Sequence, residues 1–186
     1  MKLSLHDMIL IAIFAALTAV GAFIKIPTPL VPYTLQFLFC AYAGILLGAR
    51  KGLYSQGLYI GLGLIGVPVF VNGGGLTYIL QPTFGYLLGF AFCAYIIGKL
   101  TENAAGKLTF SRLLLSVLLG LFSVYLVGVP YLYAIVKLYL GKEMVLAEAI
   151  AVGFTPYIFP DILLSVIIAY TGIKLVPILR KINRAG

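Results

Sequence analysis

The carboxylate with the clearest chemical potential is Asp161, which follows Pro160 at the start of an otherwise apolar segment. No other Asp or Glu occurs after Glu148. Carboxylates inside apolar helices are costly and usually face the protein interior, and the free N–H groups of a helix N-terminus stabilise their charge. Asp161 is therefore predicted to accept hydrogen bonds from a neutral polar ligand, such as a ureido or amide group. A structural helix cap and a proton or cation relay are the alternatives.

Two glutamines and a glycine-rich stretch are the next candidates for ligand contacts. Gln36 lies one turn into an apolar segment and Gln81 lies just before another, so each either faces a pocket or caps a helix end. Asn72 and the following Gly73–Gly75 are typical of a tight turn, whose N–H groups could contact a ligand anion or carbonyl. Because no strand-to-helix motif surrounds this turn, it is not predicted to bind phosphate.

Aromatic side chains are abundant near the same ends of the apolar segments. Most are expected to form the interfacial belt of a membrane protein, whereas a few could wall an apolar pocket, with Phe70 and Tyr86 among them. The set comprises Tyr33, Phe70, Tyr78, Tyr86, Tyr131, Tyr133 and Tyr157.

The first apolar segment carries small residues at helical spacing. Ala12 with Ala16, and Ala15 with Ala19, form two small-xxx-small pairs on neighbouring faces of a helix. Such pairs allow close packing, either within the helix bundle of the protein itself or against a separate membrane subunit. The sequence leaves both interpretations open.

The sequence lacks the residue sets that catalysis or metal binding would need. His6 is the only histidine, and Cys40 and Cys93 lie singly in apolar stretches, as small packing residues do. Hydrolytic dyads, metal centres and magnesium-dependent phosphoryl-transfer sites require residue clusters that do not occur here. No enzymatic activity, cofactor or metal is therefore expected.

The composition predicts an integral membrane protein. Of 186 residues, 62% are hydrophobic and only 10% are charged, and the mean hydropathy is +1.12. Because a soluble domain carries about a quarter charged residues, this chain has too little polar surface to cover a core of its size. The net charge of +8 comes from basic residues at the ends of apolar segments, where they set membrane topology. Nucleic acid is therefore not expected as a partner, whereas the lipid bilayer is.

Six apolar segments of membrane-spanning character predict an all-α integral membrane protein that forms a single domain over residues 1–186. Ser4 and Asp7 form a capping-box pattern at the start of the first segment, and a proline-rich turn at 27–32 follows it. The apolar stretch 143–157 contains glycine and proline, so its form stays open. The predicted spans are Leu5–Ile24, Tyr33–Gly48, Gly52–Gly66, Thr83–Lys99, Leu113–Tyr139 and Pro160–Pro177.

The distribution of basic residues predicts the orientation of these spans. Three of them, Lys25, Lys137 and Lys142, fall on one side, and the other ten fall on the opposite side. Both termini are therefore expected in the cytoplasm of a cell-membrane protein. The ten are Lys2, Arg50, Lys51, Lys99, Lys107, Arg112, Lys174, Arg180, Lys181 and Arg184.

The connections on the outer side are irregular, unlike the short basic turns on the cytoplasmic side. They are Lys25–Pro32, Val67–Gln81 and Lys142–Pro160, and they hold most of the prolines and the triple glycine. Irregular backbone at membrane depth is tolerated only where it is buried in protein or lines a cavity. We expect these three segments to form the mouth of an outward-facing ligand pocket. Three loops without a pocket are the alternative.

Several motifs together resemble a known family. They are Val-Pro-Tyr-Thr-Leu-Gln at 31–36, Val-Pro-Val-Phe at 67–70, the glycine run, Pro-Thr-Phe-Gly-Tyr at 82–86, the alanine-rich first helix and Pro160-Asp161. This pattern, which covers nearly the whole chain, is similar to the biotin-specific S component of energy-coupling-factor (ECF) transporters. The resemblance implies a six-helix vitamin-binding membrane protein that works with a transmembrane coupling subunit and two ATPase subunits.

The resemblance also implies roles for individual residues. Asp161 would accept the N–H groups of the biotin ureido ring, with Asn72 and the glycine loop nearby. Ala12, Ala15, Ala16 and Ala19 would form the face that docks on the coupling subunit.

The chain departs from the family pattern at the acid end of the ligand. The family has a lysine three residues after the aspartate, where this chain has Leu164, and an arginine in the glycine loop, which here has only Asn72–Gly75. The ligand carboxylate therefore lacks an obvious cation, unless Lys25 or Lys137 reaches it. Lipoate, dethiobiotin or a carboxylate-free analogue are alternative ligands, and a structural membrane protein without a ligand is the alternative of another class.

Overall fold

The computed structural model describes residues 3–28, 30–102 and 108–185, with side chains as far as residue 177. The described chain is mostly helical, with one two-stranded sheet. Position 29, Lys2 and Lys107, and the side chains of Arg180, Lys181 and Arg184 lie outside this part. The elements are α1 (Leu5–Phe23), β1 (Lys25–Ile26), β2 (Tyr33–Thr34), α2 (Gln36–Leu47), α3 (Ala49–Leu64), a 3₁₀ helix (Leu76–Leu80), α4 (Phe84–Glu102), α5 (Phe110–Ala134), a π turn (Ile135–Tyr139), α6 (Leu146–Gly153) and α7 (Ile158–Ala185).

The first helix begins and ends close to the predicted residues. Ser4 Oγ accepts from the Asp7 N–H at 3.1 Å, and the Asp7 carboxylate accepts from the Ser4 N–H at 3.2 Å, which confirms the capping box. Beyond α1, Lys25–Ile26 pairs antiparallel with Tyr33–Thr34. The second helix therefore begins at Gln36 and not at Tyr33, because the backbone of Tyr33 and Thr34 is engaged in the β-ladder.

A single glycine turn separates α2 from α3. Gly48 adopts a φ of 80°, which glycine reaches without steric cost. The Ala49 N–H then donates to Glu102 Oε2 at 3.0 Å, so α3 begins three residues earlier than predicted. Glu102, at the end of α4, thereby caps α3.

The outer segments contain more regular structure than the sequence predicts. The first forms the hairpin, and the second contains the 3₁₀ helix Leu76–Leu80. The third, whose form the sequence leaves open, contains the short helix Leu146–Gly153. Pro160 lies in the first turn of α7, where proline is tolerated because N–H groups there lack intrahelical partners.

Four helical stretches are long and apolar enough to cross a membrane: Leu5–Phe23, Phe84–Glu102, Phe110–Tyr139 and Ile158–Pro177. The helices α2 and α3 contain 12 and 16 residues and are shorter. The protein is therefore a helical membrane protein with at least four candidate spans in its described part. The sixfold count stays a prediction.

Polar contacts bring several helix ends together. Lys51 at the start of α3 pairs with Asp7 at the start of α1, and Arg112 at the start of α5 donates to the Leu100 carbonyl at 3.4 Å. These contacts place Lys51 and Arg112 near the same helix ends as Glu102. Two of the basic residues predicted to share one side, Lys51 and Arg112, are thus found near the same helix ends.

Candidate functional site

A buried cavity of about 600 Å³, including its opening, lies between the outer segments and helices α2, α4, α5 and α7. Each irregular segment contributes to its lining, with Val31–Thr34 from the hairpin, Val71 and Tyr78 from the second segment, and Tyr157 from the third. The apolar wall consists mainly of Phe37, Leu87, Phe90, Leu121 and Val124.

Asp161 lines this cavity and is 6% exposed. Its Oδ2 atom accepts a hydrogen bond from the Tyr125 hydroxyl, whereas Oδ1 has no hydrogen-bond partner among the described residues. A buried acceptor without a partner costs about 1–3 kcal/mol. Besides Tyr125 and the nearby Tyr33 phenol, the carboxylate therefore has capacity for a further donor, which a ligand could supply.

Tyrosines surround Asp161. The Tyr33 ring stacks on that of Tyr157, with centroids 6.1 Å apart and planes 5° apart, and the Tyr157 hydroxyl donates to the Val31 carbonyl. Burial and, to a smaller extent, the Asp161 carboxylate raise the pKa of Tyr33. Its phenol therefore stays protonated and available as a donor.

Gln36 and Tyr86, which the sequence places at the site, both line the cavity and are buried. Gln36 Oε1 accepts from the Thr34 hydroxyl at 3.1 Å and its Nε2 donates to Tyr59 at 2.9 Å. The Tyr86 hydroxyl donates to the Gly153 carbonyl at 2.8 Å. Both side chains thus hold the walls in place through bonds within the protein.

Phe70 is buried, but it lies behind the cavity wall. Its ring packs against Tyr78 at a centroid distance of 4.5 Å and against Tyr59 at 5.4 Å. Since Tyr78 lines the cavity, Phe70 supports that wall from the outside.

Asn72, Gly73, Gly74, Gly75 and Gln81 also lie outside the lining, next to residues that belong to it. The Gly73 N–H donates to the Phe70 carbonyl at 3.1 Å and the Gly75 N–H to the Gly63 carbonyl at 2.7 Å. The Asn72 and Gln81 side chains are exposed. A role for these residues in ligand contact stays a prediction.

No lysine or arginine of the described chain lines the cavity. Lys25 Nζ donates to the Val71 carbonyl at 3.0 Å, and Lys137 Nζ donates to the Tyr133 hydroxyl at 2.8 Å. Lys137 is thus engaged away from the lining, whereas Lys25 bonds to the backbone of Val71, a residue that lines the cavity.

Sequence reasoning missed Tyr125 and Thr83, and it left Tyr78 among the interfacial aromatics. Tyr125 lies in the middle of the long apolar helix α5, where a buried phenol needs a hydrogen-bond partner. That position, far from the ends where interfacial tyrosines occur, is the signal that could have found it. Thr83, directly before α4, gave no comparable signal.

The four alanines of α1 divide into two pairs. Ala15 is 2% exposed and Ala19 is half-buried against the core, whereas Ala12 and Ala16 lie on the exposed face. Packing within the bundle thus accounts for one pair and leaves the other accessible.

The helical membrane fold is that of a transport protein. It is similar to the crystal structure of an S-component for biotin from an ECF-type ABC transporter. The TM-score is 0.78 and the sequence identity 25%, and the match covers 91% of this chain and 90% of the solved chain.

The chain belongs to the BioY family, whose sequence profile matches residues 1–181. A probable biotin transporter of Lysinibacillus sphaericus is 47% identical over 94% of this chain and 88% of the relative. The biotin transporter BioY of Thermotoga maritima is 36% identical over 92% of this chain and 96% of the relative. The biotin transporter BioY2 of Lactococcus lactis is 30% identical over 97% of this chain and 95% of the relative. These names describe transporters and not enzymes, which confirms the resemblance and the class predicted from the sequence.

Proposed function

We propose that this chain is a biotin-binding S component that captures biotin at the outer face of the cell membrane. A transmembrane coupling subunit and two ATPase subunits then energise its uptake, and the chain itself hydrolyses no ATP. Membership of the BioY family and the similarity to a biotin S-component support this proposal.

The observation that carries the proposal for this site is the buried Oδ1 atom of Asp161, which has no hydrogen-bond partner among the described residues and lines a largely apolar cavity. The ureido ring of biotin presents N–H donors on a compact apolar bicycle. One such donor would satisfy the buried acceptor, and a hydrogen bond to a charged group contributes about 1.5–3 kcal/mol. The aromatic and aliphatic walls would bury the sulfur-containing ring and the alkyl chain.

The remaining predicted residues take supporting positions in this proposal. Gln36 and Tyr86 form walls, and Phe70 holds the wall that contains Tyr78. Asn72, Gly73–Gly75 and Gln81 lie beside the lining, where they contact the ligand or shape the opening.

The proposed topology is a single domain of six spans, with α2 and α3 as the short ones and both termini in the cytoplasm. The clustering of described basic residues at one end of the bundle supports this orientation. The exposed Ala12 and Ala16 belong to the face that docks on the coupling subunit.

The direct test is calorimetric titration of the detergent-solubilised protein with biotin, repeated on Asp161→Asn. We expect tight binding by the wild type and a loss of at least about tenfold in the variant, or about 1.4 kcal/mol. Glu143→Gln, which alters an exposed carboxylate, is the matched control and should bind like the wild type.

Other ligands separate the alternatives. Dethiobiotin keeps the ureido group and should depend on Asp161, whereas lipoate has no N–H donor for Oδ1. Tighter binding of lipoate than of biotin would reject the proposed ligand, and no binding of any of the three would favour a structural protein.

A further inference from the structure

Most polar side chains that line the cavity are already engaged by the protein. Gln36 uses both ends of its amide, and the Tyr86 and Tyr157 hydroxyls donate to backbone carbonyls. Two places in the lining retain hydrogen-bonding capacity. One is Asp161 Oδ1 with the neighbouring Tyr33, and the other is the pair formed by Tyr78 and Thr83.

The Tyr78 and Thr83 hydroxyls make only a long contact with each other, 3.4 Å between oxygens. Both side chains are buried, at 4% and 9% exposure. The Asn72 backbone N–H lies within hydrogen-bonding reach of the Tyr78 oxygen, so the Tyr78 O–H has only the long contact with Thr83 as a partner among the described residues. Because buried hydroxyls normally have good partners, this pair can accommodate a further polar group.

The position of Tyr78 is fixed by its surroundings. Its backbone N–H donates to the Gly75 carbonyl at 3.0 Å, and its ring packs on Phe70. Burial raises the pKa of Tyr78, so its hydroxyl is a protonated donor. The glycine segment and Phe70 therefore hold a neutral donor at the cavity wall.

The hydroxyl pair and Asp161 belong to separate networks. Tyr78 lies in the 3₁₀ helix and Thr83 directly before α4, whereas Asp161 bonds to Tyr125 of α5. No hydrogen bond of the described residues joins the two. A ligand with two polar ends could thus meet both.

The charges in the cavity determine which chemical group the second polar end of the ligand can carry. Among the described residues that line the cavity, Asp161 is the only charged side chain, and Lys25 touches the lining only through its bond to the Val71 carbonyl, so a ligand carboxylate finds no cation in the lining itself. In an environment of low dielectric constant, a second negative charge is also repelled by the first. The negative charge of a ligand carboxylate therefore adds little to the free energy of binding in this cavity.

We infer that the Tyr78–Thr83 hydroxyl pair holds the acid end of the ligand through neutral hydrogen bonds, so that the site selects for the ureido end and tolerates an uncharged acid end. This inference rests on the proposed biotin site and specifies how its second end is recognised.

The test compares three ligands on the detergent-solubilised protein by calorimetry: biotin, biotinamide, and an analogue whose side chain ends in a methyl group. In the wild type, biotinamide should bind within about threefold of biotin, because the cost of burying a carboxylate without a cation offsets the stronger hydrogen bonds that a charged acceptor receives. A preference for biotin of about a hundredfold or more would reveal a cation partner and overturn the inference.

Two variants identify the residues involved. Tyr78→Phe and Thr83→Val should each weaken biotin and biotinamide by about three- to tenfold and leave the methyl-ended analogue unchanged. An equal loss for all three ligands would mean that the residues act by packing alone, and the inference would be wrong. Tyr133→Phe and Thr101→Val, which remove hydroxyls outside the cavity, are the controls and should change none of the three.

The same titrations distinguish a failure of the proposed function from a failure of this inference. A wild-type protein that binds none of the three ligands refutes both statements. One that binds biotin through Asp161 but shows a strong preference for the charged acid refutes only the inference.

Discussion

At the scale of the residue, the Asp161 carboxylate is shared between the protein and the cavity. Tyr125 donates to Oδ2, and Oδ1 is left without a protein partner. The Tyr125 ring is itself fixed by an edge contact with Phe154, at a centroid distance of 4.9 Å. Tyr125 is therefore a positioning residue, which sets the direction in which the second oxygen points.

The change Tyr125→Phe keeps the ring and removes the hydroxyl that donates to Asp161 Oδ2. We expect biotin binding to weaken by about tenfold, because the freed carboxylate loses its orientation and a charge-assisted bond is worth about 1.5–3 kcal/mol. Calorimetric titration measures the effect. Dethiobiotin, which carries the same ureido group, should lose equally.

The control for this variant is Tyr42→Phe, which removes a hydroxyl bonded to Thr171, outside the cavity lining. Its biotin affinity should remain within about twofold of the wild type. If Tyr125→Phe also binds like the wild type, the orientation of the carboxylate comes from another group, such as Tyr33.

Single residues were predictable where their chemistry conflicts with their surroundings. A lone carboxylate in an apolar helix is costly and indicates a functional site, so Asp161 could be predicted from the sequence. Tyr78 and Thr83 are common residues near helix ends, and only the folded chain brings their hydroxyls together. Gln36, by contrast, is correctly placed at the cavity, but its amide is satisfied by Thr34 and Tyr59, which no sequence pattern indicates.

At the scale of the element, the end of α3 must approach the Phe70 ring closely. A Cβ atom added at Gly63 would lie 2.0 Å from Phe70 Cζ. Glycine at this position therefore permits the Tyr59–Phe70–Tyr78 stack, which supports one wall of the cavity. Gly57, on the same helix, has nothing within 4 Å of such an atom.

Gly63→Ala should consequently destabilise the protein and weaken ligand binding, because overpacking costs about 1–3 kcal/mol and displaces Tyr78. Thermal unfolding can be followed with a thiol-reactive dye, since Cys40 and Cys93 are both buried. We expect the unfolding temperature to fall by about 2–10 °C.

Gly57→Ala provides the matched comparison on the same helix. Alanine is the better helix former by about 1 kcal/mol, so this variant should unfold at the same temperature or higher and bind biotin normally. An equal loss in both variants would show that helix packing in the membrane, and not the Phe70 contact, sets the requirement for glycine.

The helices could be predicted from their apolar runs, whereas the residues at which they begin and end could be predicted only in part. The capping box at Ser4 is a local signal and was read correctly. The start of α3 depends on Glu102, which is 53 residues away from Ala49 along the chain, so local sequence could not locate it. The sequence leaves the form of the helix Leu146–Gly153 open, because glycine and proline interrupt the apolar pattern around it.

At the scale of the whole molecule, the outer surface of the bundle is unevenly covered. Of the candidate span in α1, 33% is buried, against 61% for that in α4 and 28% for that in α7, so α1 and α7 are the more peripheral of these helices. The exposed face of α1 combines large apolar residues with Ala12 and Ala16, which lie one turn apart. Small residues on a lipid-exposed face permit the close approach of another helix, and this supports the proposed docking on a coupling subunit.

The double variant Ala12→Leu/Ala16→Leu tests this role without touching the cavity. Added side chains on this face would hold a partner helix away, so biotin uptake by membranes containing the complete transporter should fall by about tenfold or more, while calorimetric biotin binding stays unchanged. Ala147→Leu adds the same bulk to another exposed alanine, on α6, and should leave both measurements unaltered. Ala15→Leu, placed in the bundle interior, should instead lower the unfolding temperature. Normal uptake in the double variant would mean that the partner approaches a different face, and the exposed alanine pair would then serve only packing against lipid.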